Sequence, residues 1–83
     1  MIKSGGVTID YLGKTPLWQQ LAEILRGKIT SGEYQAGRRM PSETTLVQEY
    51  GLARGTVRQA MKSLEDEGLV VRVQGRGTFV VER

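Results

Sequence analysis

A connection of only three residues, Gly51 to Ala53, separates two segments that carry helical patterns. The first segment begins after Ser42, a residue type favoured as an N-cap, and it stops at glycine, a typical C-terminal signal. The second runs from about Arg54 to Glu67 and ends before Gly68. We expect two short helices joined by so short a glycine-containing turn to form one unit.

The rest of the chain predicts a helix before this unit and a hairpin after it. Thr15 is expected to cap the first helix, with Pro16 at its first position. Its apolar residues recur at three- and four-residue spacing and share one face; they are Leu17, Leu21, Ile24, Leu25 and Ile29. The segments "LVVRV" and "TFVVE", split by "QGRG", predict two strands. The fold class is therefore mainly α with a small β-hairpin.

The length of 83 residues fits one small domain, and the hydrophobic share of 39% gives it a modest core. We expect a flexible arm over residues 1–12 and the folded domain over 13–83. The sequence has neither cysteine nor histidine, so thiolate and imidazole metal sites are excluded, and no cofactor is indicated. No apolar run reaches the length of a membrane span, which predicts no membrane contact and a cytoplasmic protein.

The third helix carries a ladder of basic residues, Arg54, Arg58 and Lys62, four positions apart. At about 100° per residue they span less than a quadrant, and the residues expected to be buried lie elsewhere on the helix: Val57, Ala60, Met61 and Leu64. A solvated basic face is the plain interpretation. However, a second helix of a helix-turn-helix unit enters the major groove of DNA. There, Arg54 and Arg58 can donate paired hydrogen bonds to guanine, and Lys62 can meet a phosphate.

Two further groups of residues are candidates for DNA contact. Gly55 and Thr56 open the third helix, where unpaired backbone N–H groups favour an anion, although both are equally compatible with a purely local role. Arg72 and Arg76, on and at the tip of the hairpin, can extend towards the minor groove or the DNA backbone. A plain solvent-exposed turn is the alternative for the hairpin.

Several spaced motifs together resemble the winged helix-turn-helix domain of the GntR family of bacterial transcription regulators. They are "GEYQAG", "MPSE", "RGTVRQAM", "LEDEGLV" and "GRGTFV", and the resemblance covers roughly residues 16–81. It implies a repressor-type domain of three helices plus a wing that reads operator DNA. The recognition helix, 54–67, is expected in the major groove and the wing, 69–82, at the minor groove.

The resemblance also implies individual roles. Arg54, Thr56 and Arg58 match the recognition-helix contacts, and Gly75 matches a glycine of close approach at the wing tip. Ser42 matches a phosphate contact, whereas Glu43 is expected to be structural and is left outside the site. Arg39, in the extended piece before Pro41, is also a candidate DNA-binding residue. The full candidate set is Ser42, Arg39, Arg54, Gly55, Thr56, Arg58, Lys62, Arg72, Gly75 and Arg76.

The chain departs from the usual family pattern at Ala53 and Gly55, where hydroxyl side chains are common, so its operator is expected to differ. The expected partner is double-stranded DNA. If the chain acts as a homodimer on the DNA, two-fold symmetry predicts a palindromic operator; as a monomer, it is expected to bind one half-site. A small-molecule effector is expected only if a C-terminal domain is missing. As a DNA-bound regulator, the protein is expected to associate with the nucleoid.

A winged helix can also serve as a protein-interaction module without reading bases. Trp18 widens the apolar face of the first helix and would supply such a contact, although packing into a small core is the favoured use. An enzyme is not indicated, because no nucleophile stands beside a base. RNA is disfavoured, because the deep and narrow major groove of an A-form helix does not admit a helix.

Overall fold

The computed structural model describes residues 9–82. It contains the helices α1 (Leu17–Thr30), α2 (Glu43–Tyr50) and α3 (Arg54–Asp66), followed by the strands β1 (Val70–Val73) and β2 (Gly77–Val80). The two strands pair antiparallel, with Val71 opposite Phe79. This order of elements confirms the predicted fold class, mainly α with a small β-hairpin, in the winged helix-turn-helix arrangement.

The predicted start of α1 is wrong by one residue. Pro16 is extended (ψ 146°) and takes the N-cap position, and the helix begins at Leu17 without a side-chain cap. The carbonyl of Pro16 accepts hydrogen bonds from the N–H groups of Gln19 and Gln20, at 3.1 and 3.0 Å. Thr15 therefore lies outside the helix, and its carbonyl accepts a bond from the Gln20 side chain instead.

Both ends of α2 are as the sequence predicts. The Ser42 hydroxyl accepts a hydrogen bond from the N–H of Thr45 at 3.1 Å, which satisfies one of the free donors of the first turn. At the other end Gly51 has φ +67°, and its N–H donates to the carbonyl of Val47. The left-handed backbone at Gly51 turns the chain sharply, so that α3 starts within three residues.

The core lies between α1, α3 and the inner face of the hairpin. The four predicted residues of α3 are all buried: Val57, Ala60, Met61 and Leu64. Leu21, Ile24 and Leu25 of α1 are buried as well, and the wing contributes Val70 and Val80. Trp18 is half-buried against this cluster, as favoured from the sequence. The opposite face of α3 remains exposed to solvent.

The segment before α2 is tied to the wing by backbone hydrogen bonds. Arg39 forms a bridge with Phe79, next to hydrogen bonds from the Met40 N–H to the Thr78 carbonyl and from the Val80 N–H to the Arg38 carbonyl. These two bonds measure 2.7 and 2.8 Å. The start of α2 and the wing are thereby held in a fixed relation.

Most of the predicted arm, residues 1–8 of 1–12, lies outside the described residues. Within its described part, the Asp10 N–H donates to the Gln20 side chain at 2.7 Å, and the Tyr11 hydroxyl donates to the carbonyl of Tyr50 at 2.8 Å. Among residues 9–82, no helix has the length and apolar character needed to cross a membrane.

Candidate nucleic-acid interface

The exposed face of α3 carries the predicted basic ladder. Arg54, Arg58 and Lys62 are all exposed, while the apolar residues of the helix point into the core. Burial of one face against α1 and α2 therefore determines which side chains α3 presents to a partner. Arg54 and Arg58 belong to the N-terminal half of the helix, the half that reaches base edges when a recognition helix enters the major groove.

Both arginines are held by one carboxylate, that of Glu43 at the start of α2. Arg58 donates from Nε and Nη2 to the two carboxylate oxygens, at 3.0 and 3.1 Å. Arg54 donates from Nη1 to Oε1 at 3.4 Å and from Nη2 to the Thr44 hydroxyl at 3.4 Å. The hydrogen bonds from Arg58, more than those from Arg54, lower the pKa of the Glu43 carboxyl below its ordinary value. These bonds favour the charged carboxylate, which holds the Arg58 guanidinium in a fork and makes one longer contact with Arg54.

The basic residues of the candidate site fall into two electrostatic classes. Those of α3 have carboxylate partners, because Lys62 also pairs with Asp66, at 3.1 Å. Arg39, Arg72 and Arg76 have no carboxylate within ion-pair distance among residues 9–82. The positive potential of the free protein is therefore least compensated along the wing and the segment before α2.

The beginning of α3 lacks a side-chain cap, as predicted from Ala53. The Ala53 carbonyl accepts the first helical hydrogen bond, from Val57, at 3.1 Å. Gly55 is exposed, and a Cβ atom built on it would meet nothing within 4 Å, whereas Thr56 is half-buried. The surface at Gly55 is thus open to close approach by another molecule.

A cleft of about 350 Å3 lies between the start of α2, α3 and the wing. Four candidate residues from different parts of the chain meet around it: Arg39, Ser42, Arg72 and Gly75. Gly75 has φ +79° and open space around it, which suits a tight turn at the wing tip. Arg76, also exposed, lies beside that turn and does not line the cleft.

Two residues outside the predicted set belong to this surface. Glu43 bonds to Arg54 and Arg58 across 11 and 15 positions of sequence, a spacing for which no local pattern exists. Gly77, at the start of β2, lies directly against the Arg39 side chain. The only sequence signal for Glu43 was its place in the first turn of a helix, and for Gly77 its place in a glycine-containing loop.

The sequence profile described as "Bacterial regulatory proteins, gntR family" matches residues 17–80. Among individual relatives, the HTH-type transcriptional repressor NagR of Bacillus subtilis is 45% identical over 74 residues, which is 89% of this chain and 30% of NagR. The chain spans 26% to 30% of the length of eight curated relatives that it matches.

Solved structures show the same fold. YtrA from Sulfolobus acidocaldarius, a GntR-family transcription factor, superposes with a TM-score of 0.83 at 35% identity, over 93% of this chain and 81% of that one. The DNA-binding domain of AraR, solved in complex with operator ORE1, gives a TM-score of 0.79 at 36% identity, over 84% and 89% of the two chains. This chain belongs to the gntR family of bacterial regulatory proteins, and its fold is that of the family's winged helix-turn-helix domain.

Proposed function

We propose that this chain binds double-stranded DNA in a sequence-specific manner to regulate transcription, as a repressor. The observation that carries the proposal is the pair of guanidinium groups at the exposed N-terminal half of α3, oriented by one carboxylate. The operator complex of the AraR domain, at 36% identity, supports it. The relatives of this chain are transcription regulators and not enzymes.

Arg54 and Arg58 are proposed to read bases in the major groove. A guanidinium presents a planar fork of donors that matches O6 and N7 of guanine, and such a pair contributes about 1–3 kcal/mol of discrimination. Glu43 already binds Arg58 in a fork of this kind, so base binding requires the guanidinium to exchange its acceptors or to share them. If the acceptors are shared, Glu43 orders the Arg58 guanidinium before the DNA arrives, which reduces the entropy lost on binding.

The remaining candidate residues are proposed to hold the DNA backbone and the minor groove. Ser42 and Arg39 line the cleft on the side of α2, and Arg72 and Gly75 line it on the side of the wing. Gly55 and Thr56, at the open start of α3, and Lys62, farther along, complete the phosphate contacts, and Arg76 is proposed to enter the minor groove. Arginine is favoured in narrow minor grooves because their potential is strongly negative.

The assembly on DNA is proposed from symmetry. A homodimer bound to a palindromic operator would place two recognition helices about one helical turn apart on one side of the duplex. This chain spans less than a third of the length of these relatives, so an effector-binding domain is proposed only for a longer protein of which this chain would be part. The DNA partner implies a cytoplasmic location at the nucleoid.

The experiment that tests the function compares two duplexes of equal length at two salt concentrations. One is selected from a randomised duplex pool by the chain itself, and the other is a scrambled version with the same phosphates. A lead of orders of magnitude for the selected duplex that persists at the higher salt supports base reading, because phosphate contacts are common to both. Equal affinities that fall together would contradict sequence-specific binding.

Replacing Arg58 by alanine tests the base contact directly. We expect binding to the selected duplex to weaken by about 10- to 100-fold, from the loss of about 1–3 kcal/mol, and binding to the scrambled duplex to change much less. Lys14→Ala removes the same charge from an exposed turn before α1 and is the matched control. Equal losses in both variants, with unchanged circular dichroism, would remove Arg58 from the base-reading set.

A further inference from the structure

The Arg39 side chain lies directly over Gly77 of the wing. A Cβ atom built on Gly77 would be 2.8 Å from Arg39 Nε, closer than real Cβ atoms approach a neighbour, and 3.3 Å from Nη2, which is a tight contact. No other glycine of the wing has a neighbour of this kind, because the corresponding position at Gly75 is open. The path of the guanidinium therefore exists only because residue 77 has no side chain.

The backbone of Arg39 is fixed on both sides, so the side chain has one direction in which to leave it. The Met40 N–H bonds to Thr78 and the Val80 N–H bonds to Arg38, which makes Arg39 the partner of Phe79 on the edge of β2. Successive side chains of a strand point to opposite faces, so Gly77 and Phe79, two positions apart, share a face. Arg39 consequently runs diagonally from its partner Phe79 towards Gly77.

The guanidinium reaches the cleft with its charge uncompensated. Arg39 is exposed, and among residues 9–82 no carboxylate pairs with it and no side-chain hydrogen bond fixes it. It lines the cleft together with Ser42, Arg72 and Gly75. Arg54 and Arg58, by contrast, are both bound by Glu43. A cation that is held by shape and not by a counter-ion remains available to an external anion.

We propose that Gly77 is a positioning residue for Arg39: the missing side chain lets the guanidinium lie across the wing and contact a phosphate of the DNA backbone in this cleft. This inference rests on the proposed DNA-binding function. The two classes of arginine then have different roles. Arg54 and Arg58 contact bases, whereas Arg39 contacts a phosphate and so holds the wing and α2 at one spacing along the DNA backbone. A side chain at residue 77 displaces the flexible guanidinium and removes the phosphate contact.

A double-mutant cycle with a salt series tests the proposal, with the selected and scrambled duplexes described above as probes. Each phosphate contact contributes about 0.9 to the slope of the logarithm of affinity against the logarithm of salt. Arg39→Ala should therefore weaken binding to both duplexes, and its deficit should shrink by about 3.5-fold when salt rises from about 50 to about 200 mM. Gly77→Ala should give the same change of slope, and the double variant should bind no more weakly than Arg39→Ala alone.

The backbone at Gly77, with φ +117°, strains any other residue, so a control for strain is required. Gly32→Ala supplies it, because Gly32 has φ +90°, open surroundings and a place at the far end of α1. We expect it to lower the melting temperature without altering the salt slope. Arg39→Lys should keep most of the salt slope that Arg39→Ala loses, because lysine keeps the positive charge.

Several results would overturn the proposal while leaving the function intact. One is an unchanged slope for Arg39→Ala alongside a normal preference for the selected duplex. Another is a loss from Gly77→Ala that is as large in the Arg39→Ala background as in the parent, which would show that Gly77 acts through strain alone. Loss of the preference for the selected duplex in the parent chain itself would instead refute the proposed function.

Discussion

At the scale of single residues, the central feature of this surface is one carboxylate shared by two arginines. An exposed ion pair contributes little to stability, but a fork of two hydrogen bonds fixes the plane of a guanidinium. Glu43 thus serves the orientation of Arg54 and Arg58 more than the fold. It also places a negative charge beside both guanidinium groups, and a negative charge repels phosphates.

Glu43→Gln should reduce the discrimination between the selected and scrambled duplexes by about tenfold, the size of one bidentate base contact. The neutral amide releases both arginines, so binding to the scrambled duplex should become tighter while the base contacts lose their order. Affinities of both duplexes measured side by side check this. Glu23→Gln, the same change at an exposed position of α1, is the control and should leave the ratio unchanged.

An unchanged ratio for Glu43→Gln would mean that Glu43 has only the structural role expected from the sequence. A stronger loss on the scrambled duplex than on the selected one would contradict the repulsion argument, because removing a negative charge cannot weaken phosphate contacts. The affinity for the selected duplex therefore reports the orientation of the arginines, and the affinity for the scrambled duplex reports the effect of the Glu43 charge.

At the scale of elements, the turn between α2 and α3 depends on the left-handed backbone at Gly51. Its φ of +67° ends α2 and directs α3 across it, and the hydroxyl of Tyr11 lies 3.3 Å from the place of a Cβ atom. Gly55, four residues later, is helical and open. Two glycines so close in sequence therefore have opposite energetic roles.

Replacing each by alanine should change stability in opposite directions. Gly51→Ala should lower the free energy of unfolding by roughly 1–2 kcal/mol, because alanine is strained in the left-handed region. Gly55→Ala should raise it by about 0.5–1 kcal/mol, because alanine is the better helix former. Urea unfolding followed by circular dichroism measures both. A loss of stability in Gly55→Ala would contradict the open surroundings of Gly55.

The helical segments and their ends were predictable because their causes are local. Ser42 caps α2 through a bond to a residue three positions away, and Gly51 stops it by its own backbone. The start of α1 was predicted one residue too early, because Thr15 and Pro16 both carry helix-start signals and the sequence does not rank them. Pro16 takes the cap through its carbonyl bonds to Gln19 and Gln20.

At the scale of the whole molecule, two carboxylates connect the helices. Glu43 joins α2 to α3, and Glu67, after α3, binds Arg26 of α1, with Arg26 Nε donating at 2.8 Å. Hydrogen bonds from these arginines lower the pKa of both carboxyls below the ordinary value of 4.5. Protonation of either group weakens a contact between helices, so acid should lower the free energy of unfolding by a modest amount.

The sign of the pH effect follows from which state binds protons first. With a lower pKa in the folded state, the unfolded chain takes up protons at a higher pH, so the unfolding free energy falls as pH drops below about 4.5 and continues to fall through the folded pKa values. Urea unfolding from pH 6 to about pH 3 measures it. The variant Glu43→Gln/Glu67→Gln should show a shallower fall; an equal fall in both proteins would contradict the assignment.

Local sequence signals were enough to predict the elements, the buried faces of α1 and α3, and the side of α3 that faces outward. These follow from periodicity, caps and glycines, whose effects reach only a few residues along the chain. Folding alone brings Glu43 to Arg54 and Arg58, residues 38–40 to β2, and Arg39 to Gly77. Those contacts join distant positions, and they depend on the angles at which the packed core holds the helices and the wing.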